Sequence, residues 1–240
     1  MSQFDNTPIM PSSEVPGPAG WVPVWIKAVS QPREQTFVDI TEHPDAASRT
    51  AFIWVFLAGT ISGIVQAILQ AIYTVTGTSP QMPIPGLEQF TQSGSGDAST
   101  LGVTFIVTLC LSPVAGVISV IFFAIGTAII QWIAKLFGGV GTFEKMAYAF
   151  AAITVPFSLV SAPLALLGLI PFVGLCFGIL SFGLGIYALV LQVMAVKAVN
   201  RFGWGQSIAS VFIPVIVVFI TCACVVGASI MFLSTQSFAP

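Results

Sequence analysis

Charge is what this sequence has least of. Only 7% of its 240 residues are charged, seven Lys+Arg and nine Asp+Glu, against 56% that are hydrophobic. A soluble domain carries about 25% charged residues, because water must solvate its surface. So few ionised groups cannot coat a globule of this length, and the solvent for most of the chain is lipid. That excludes a soluble enzyme, a nucleic-acid binder and a disordered protein together. The net charge of −2 also argues against a basic, phosphate-seeking surface.

Metal-binding side chains are scarce as well. The single histidine, His43, precedes the first long apolar run. Cys110, Cys176, Cys222 and Cys224 lie inside apolar runs, with no CxxC pair and no neighbouring His. They are expected as small buried packing residues, and no metal or cofactor site is read. No Lys or Arg precedes Lys27, and the first twenty residues hold four prolines. Residues 1–20 are therefore expected to be a disordered Pro-rich tail, not a cleavable signal peptide.

Long apolar runs are what the sequence does have. A crossing helix needs about 20 mostly apolar residues for about 30 Å of hydrocarbon. Residues 51–75 hold no charge and make the first span. Residues 101–134 make the second, at about 50 Å too long for one straight crossing. Pro113 and Gly116 mark where a kink or an interfacial lead-in absorbs the excess. The uncharged run from Met146 to Val196 divides at Gly168, Pro171 and Gly174 into spans at 146–169 and 172–196. Residues 207–233 make the fifth.

The basic residues check that count. Lys27, Arg33 and Arg49 precede span one, Lys135 and Lys145 flank the link from two to three, and Lys197 and Arg201 sit between four and five. With five spans all seven fall on one face, which the positive-inside rule makes cytoplasmic. The fold expected is an all-α integral membrane protein of five transmembrane helices, N-terminus cytoplasmic and C-terminus outside. Residues 76–100, rich in Gly, Ser, Thr and Pro, form an external loop within a membrane domain covering 46–235.

Residues 21–45 form a cytoplasmic interfacial segment. Trp21 and Trp25 suit the headgroup level. Pro32-Arg33-Glu34 reads as a helix start, Phe37 and Ile40 as one apolar stripe among Glu34, Asp39 and Glu42, and Pro44 as its end. This short amphipathic element either lies in the headgroups or packs beneath the bundle, the second being favoured by its acidic residues.

Within the spans there is no ionisable residue to run a proton relay or a hydrolysis. Ser62 in Gly59-Thr60-Ile61-Ser62-Gly63 has no base beside it, so no catalytic residue is assigned. Pro113, Pro156, Pro163 and Pro214 interrupt three spans, and Gln66, Gln70, Gln131 and Gln192 offer either a polar path or interhelical hydrogen bonds. A small-residue stripe runs along span four through Gly174, Gly178, Ser181, Gly185, Ala188, Gln192 and Ala195. Gly59 and Gly63 make a shorter one in span one. Such faces let a second backbone approach, whether in the bundle, in a partner membrane protein or in a second copy. In the link at Gly138, Gly139 and Gly141 the glycines permit a tight turn, Thr142 caps span three, and Glu144 lies in its first turn. No GKS/T follows these glycines, so no nucleotide is expected.

The chain resembles the Yip domain family of Ypt/Rab-interacting membrane proteins, in its prokaryotic branch. The resemblance rests on Pro32, Thr36, Phe37, Ile40 and Pro44 before span one. It continues in Gly138, Gly139, Gly141, Thr142, Phe143 and Lys145, then Ala149, Ala151 and Pro156, then Val199–Phe202, Gly203, Gly205 and Pro214. It covers about residues 21–235 and implies a five-span, N-in architecture. It also implies a non-enzymatic trafficking-type role, in the plasma membrane of a prokaryote or the Golgi and endoplasmic reticulum of a eukaryote. The Asp-Leu-Tyr-Gly-Pro type motif that precedes the first span in Rab-engaging members is absent. The leading expectation is a scaffold, accessory subunit or membrane-organising factor; the alternative is a transporter or channel for a small neutral or lipid-like solute.

Overall fold

The computed structural model describes residues 18–43, 46–76, 98–168, 170 and 173–237, and among these it holds helices and no strand. In chain order they are α1 (Pro18–Ser30), α2 (Glu34–Glu42), α3 (Ser48–Thr76), α4 (Ala98–Leu136), α5 (Phe143–Leu167), α6 (Val173–Asn200) and α7 (Trp204–Ser237). Five of them, α3 to α7, are long and apolar enough to cross a membrane. Phe122, Phe182 and Phe219 are 71%, 72% and 75% exposed on the protein's own surface, which only an apolar surrounding tolerates. The chain is a multi-pass membrane protein. Of the tail expected over 1–20 and the loop expected over 76–100, residues 1–17 and 77–97 lie outside the described residues, as does Pro44; residues 18–20, 76 and 98–100 are helical.

The second span is one continuous helix, and Pro113 and Gly116, where a kink or an interfacial lead-in is expected, lie within it. Proline removes the N–H that would bond the carbonyl four residues back, that of Leu109. Ser112 Oγ donates to that carbonyl at 2.8 Å instead, so the helix continues. Gly116 serves packing: a Cβ there would lie 2.9 Å from the Phe56 carbonyl oxygen on α3. Opposite it, a Cβ on Gly59 would lie 2.7 Å from Ser119 Oγ, and one on Gly63 3.2 Å from Ser112 Cα. Small residues on both helices thus bring α3 and α4 into backbone contact. In lipid, where hydrocarbon gains nothing by leaving hydrocarbon, such close packing is a main source of helix association.

Burial is uneven along the bundle. Trp54, Met146, Ile153, Leu191, Val196 and Val211 are fully buried, and all lie in the half where α3, α5 and α7 begin and α4 and α6 end. Toward the other end no described residue of α6 before Leu191, nor of α7 after Val211, is buried. The four cysteines are exposed, correcting the expectation that they fill the interior. A thiol is apolar enough for lipid and needs no protein core.

The segment before span one is two helices. On α2, Phe37 and Ile40 are buried with Thr36 and Thr41, while Glu34, Asp39 and Glu42 stay exposed. α1 lies beside the bundle, neither beneath its end nor free of it. Trp21 and Trp25 stand edge-on to Trp54 of α3 at 6.0 and 5.5 Å, and Trp54 meets Tyr148 of α5 at 4.9 Å. Tyr187 of α6 donates to the Val29 carbonyl at 2.6 Å, satisfying one of the acceptors left open at a helix C-terminus. Val22 and Ile26 face outward, 48% and 60% exposed. An apolar helix with one lysine gains from that side-on position, which keeps these residues out of water.

Replacing Gly59 with Leu should force α3 and α4 apart at a cost of about 1–3 kcal/mol. Denaturant titration of the protein in mixed micelles should show that loss as a lower unfolding midpoint.

Candidate functional site

At the end of the bundle that holds the core, α4 stops, turns through 137–142 and starts α5 beside the end of α6. Gly138 takes φ +88°, a left-handed conformation open to glycine at little cost. Thr142 Oγ1 accepts from the Lys145 N–H at 3.4 Å and caps α5, with Glu144 in the first turn.

Asn200, the last residue of α6, fastens this turn. Its Oδ1 accepts from the Gly141 N–H at 3.2 Å and from Gln131 Nε2 at 3.1 Å, and its Nδ2 donates to the Val196 carbonyl at 3.1 Å. Gln131 Nε2 also reaches the Gly141 carbonyl at 2.7 Å, and the Val140 N–H donates to the Asn200 carbonyl at 3.4 Å. Asn200 is 1% and Gln131 4% exposed, so each bond forms away from competing water. The two remaining glycines make room for it: a Cβ on Gly139 would lie 2.5 Å, and one on Gly141 2.8 Å, from Asn200 Oδ1. The polar knot therefore joins α4, the turn and α6 by side chains that only small neighbours admit.

Ion pairs to α2 lie beside the knot. Lys197 pairs with Glu34 of α2 and stands 4.7 Å over the Trp204 ring of α7. Arg201 follows α6 in a left-handed conformation, φ 55°, and reaches Glu42 at the other end of α2 at 3.1 Å. The exposed Arg201–Glu42 pair is worth about 0–1 kcal/mol, but it is set in register by Phe37 and Ile40 beneath. Gln35 Nε2 donates to Asp39 at 2.9 Å and the Lys27 ammonium lies 3.4 Å away; together they hold the Asp39 carboxyl below its ordinary value. What this layer does chemically is bind helices to one another and present the polar face of α2.

Many residues read as significant in the sequence meet here. Phe37 and Ile40 bury α2, Thr36 lies on the same face, and the exposed Pro32 precedes Arg33, the residue that opens the helix. Gly138, Gly139 and Gly141 lie in the turn, Thr142 caps α5, Phe143 and Lys145 lie in its first turn, and Phe143 lies 6.4 Å from Phe52 of α3. Gln131 makes an interhelical bond; Gln66 and Gln70 are exposed and Gln192 half-buried. In the sequence Asn200 enters only within the Val199–Phe202 stretch and carries no role of its own, although a lone amide closing an apolar run beside Lys197 and Arg201 is the signal that marks it. The span-four stripe does not act as one surface. Ala188 packs against the core and Ala195 is buried, with Gln192 half-buried between them; Gly174 sits tight against the Gly168 carbonyl. Ser181 is exposed, and a Cβ on Gly178 or Gly185 would meet nothing within 4 Å.

Asn200→Leu should destabilise the protein by about 1–3 kcal/mol, because the Gly141 N–H and the Gln131 amide lose a buried partner. Adding Gln131→Leu should recover part of the loss, so that unfolding free energies of the single and double variants are non-additive.

Neither the curated proteins nor the solved structures compared with the chain contain a match. A family profile described as the Yip1 domain matches residues 26–226, from within α1 to beyond the middle of α7. That stretch includes the amphipathic α2, the glycine turn, the Asn200 knot, four whole spans and most of the fifth. The chain belongs to the Yip1 domain family of membrane proteins.

Proposed function

We propose that this protein is a non-catalytic membrane scaffold or accessory subunit that works by associating with another membrane protein or with a second copy of itself. The observation that carries the reading is the contrast between its two ends. At one end the described ion pairs and buried amides hold its own helices together. At the other, no described residue of α6 or α7 is buried, and Gly178 and Gly185 look into open space. Membership in the Yip1 family supports a membrane-associated, trafficking-type role, and that family is not known for enzymes.

We place the charged end in the cytoplasm. Lys135, Lys145, Lys197, Arg201 and Arg49 all stand at or next to the helix ends that meet there, with Lys27 and Arg33 beside α2. Positive charge is retained on the cytoplasmic side of membranes. Single cysteines at Ser95 and Ser237, in a background with Cys110, Cys176, Cys222 and Cys224 replaced by alanine, should react with an impermeant maleimide added outside cells. Protection of both sites would reverse the orientation.

Isolation from native membranes in mild detergent should recover a stoichiometric membrane-protein partner or a homo-oligomer. Because Gly178 and Gly185 have space around them, changing both to Leu should leave the unfolding midpoint unaltered while removing the associated species. A solitary particle from the unaltered protein, or an association indifferent to the double variant, would count against this face.

A further inference from the structure

We infer that the trough between α3 and α4 at the charged end is a binding site for one anionic phospholipid, its phosphate held by Arg49. Where Gly59 and Gly63 face Ser112, Gly116 and Ser119, the two helices touch. Toward the charged end the facing residues become Phe52, Phe56 and Val120, and a trough of about 590 Å³ opens between the helices. Phe52 stacks edge-on against Phe123 at 6.4 Å and closes its inner wall. Ile53, Val117 and Ile121 line the same trough and are 39%, 50% and 51% exposed, so the opening looks sideways onto the surface that hydrocarbon covers. Its occupant enters from the bilayer, not from water.

Arg49 and Ser48 stand at the end of the trough, in the first turn of α3. Lys27, Lys197 and Arg201 each have a carboxylate partner, whereas among the described residues Arg49 has none. A guanidinium with no carboxylate partner among the described residues, at the edge of an apolar groove, favours an anion, and its planar fork of donors matches two phosphate oxygens at once. From Arg49 to Phe56 is seven residues, about 10 Å along the helix. The order along the trough is cation and hydroxyl at the headgroup level, then aromatic and aliphatic walls toward the bilayer interior. A phospholipid has that same order of phosphate and acyl chain. A free phosphate would use the first part alone, and a neutral hydrocarbon the second part alone.

The test is native mass spectrometry of the full chain, delipidated in detergent and titrated with phosphatidylglycerol or phosphatidylcholine. One phosphatidylglycerol should be retained per chain, about tenfold more tightly than phosphatidylcholine, the worth of one charge-assisted contact. Arg49→Gln should abolish that preference, and Val117→Trp, which fills the trough from its lipid side, should abolish retention of both lipids. Arg33→Gln, which removes an exposed cation outside the trough, should change neither. Phosphatidylglycerol should also raise the melting temperature of the unaltered protein more than that of the Arg49→Gln variant. Equal retention of the two lipids by the unaltered protein would overturn the assignment. So would an undiminished preference in Arg49→Gln, undiminished retention in Val117→Trp, or an Arg33→Gln loss as large as that of Arg49→Gln.

Discussion

Two buried amides, Asn200 and Gln131, hold the end of this bundle on which the other contacts depend. Helices in lipid are not driven together by expulsion of water from apolar faces, because the solvent is itself apolar. Cohesion comes from hydrogen bonds that have no competing water and from backbones that approach closely. Asn200 supplies the first at the point where α4, the α4–α5 turn and α6 converge. Gly139 and Gly141 supply the room it requires. The turn then sets where α5 begins, and the end of α6 sets where Lys197 and Arg201 meet α2.

Away from that knot the constraint changes. Between α3 and α4 it is steric: glycine, serine and alanine on both helices allow an approach that any larger residue would block. At the far ends of α6 and α7 neither device operates among the described residues, and large apolar residues there face outward. The result is a protein consolidated at its charged end and open at the other. That asymmetry suits an associating role, since the faces not needed for internal cohesion remain free for a neighbour.

Much of the fold is legible in the sequence for one reason: the cost of a charge in hydrocarbon acts on each residue separately. Uncharged runs therefore mark the spans, and the Lys and Arg residues mark which ends lie together. The 3.6-residue period of α2 likewise names Phe37 and Ile40 as its buried face. Other features are not legible because lipid blurs the usual signals. A cysteine in an apolar run reads as interior, yet all four are exposed. Pro113 marks a place for a kink or a lead-in, but not that Ser112 takes over the carbonyl it frees. Trp21 and Trp25 read as headgroup anchors, and nothing local to them names Trp54 as the ring they pack on.

Composition and periodicity thus carry the number of crossings, the grouping of the charged ends and the amphipathic face of α2, because each depends on a residue and its solvent. Which neighbour a side chain meets depends on distant parts of the chain. Gln131 and Asn200 lie 69 residues apart and become partners only when α4 and α6 end at the same level. Gly59 and Gly185 look alike in sequence, each a glycine on a small-residue face. Tertiary packing sets Gly59 against Ser119 and leaves Gly185 open, because α4 comes alongside α3 while no described helix comes alongside that face of α6.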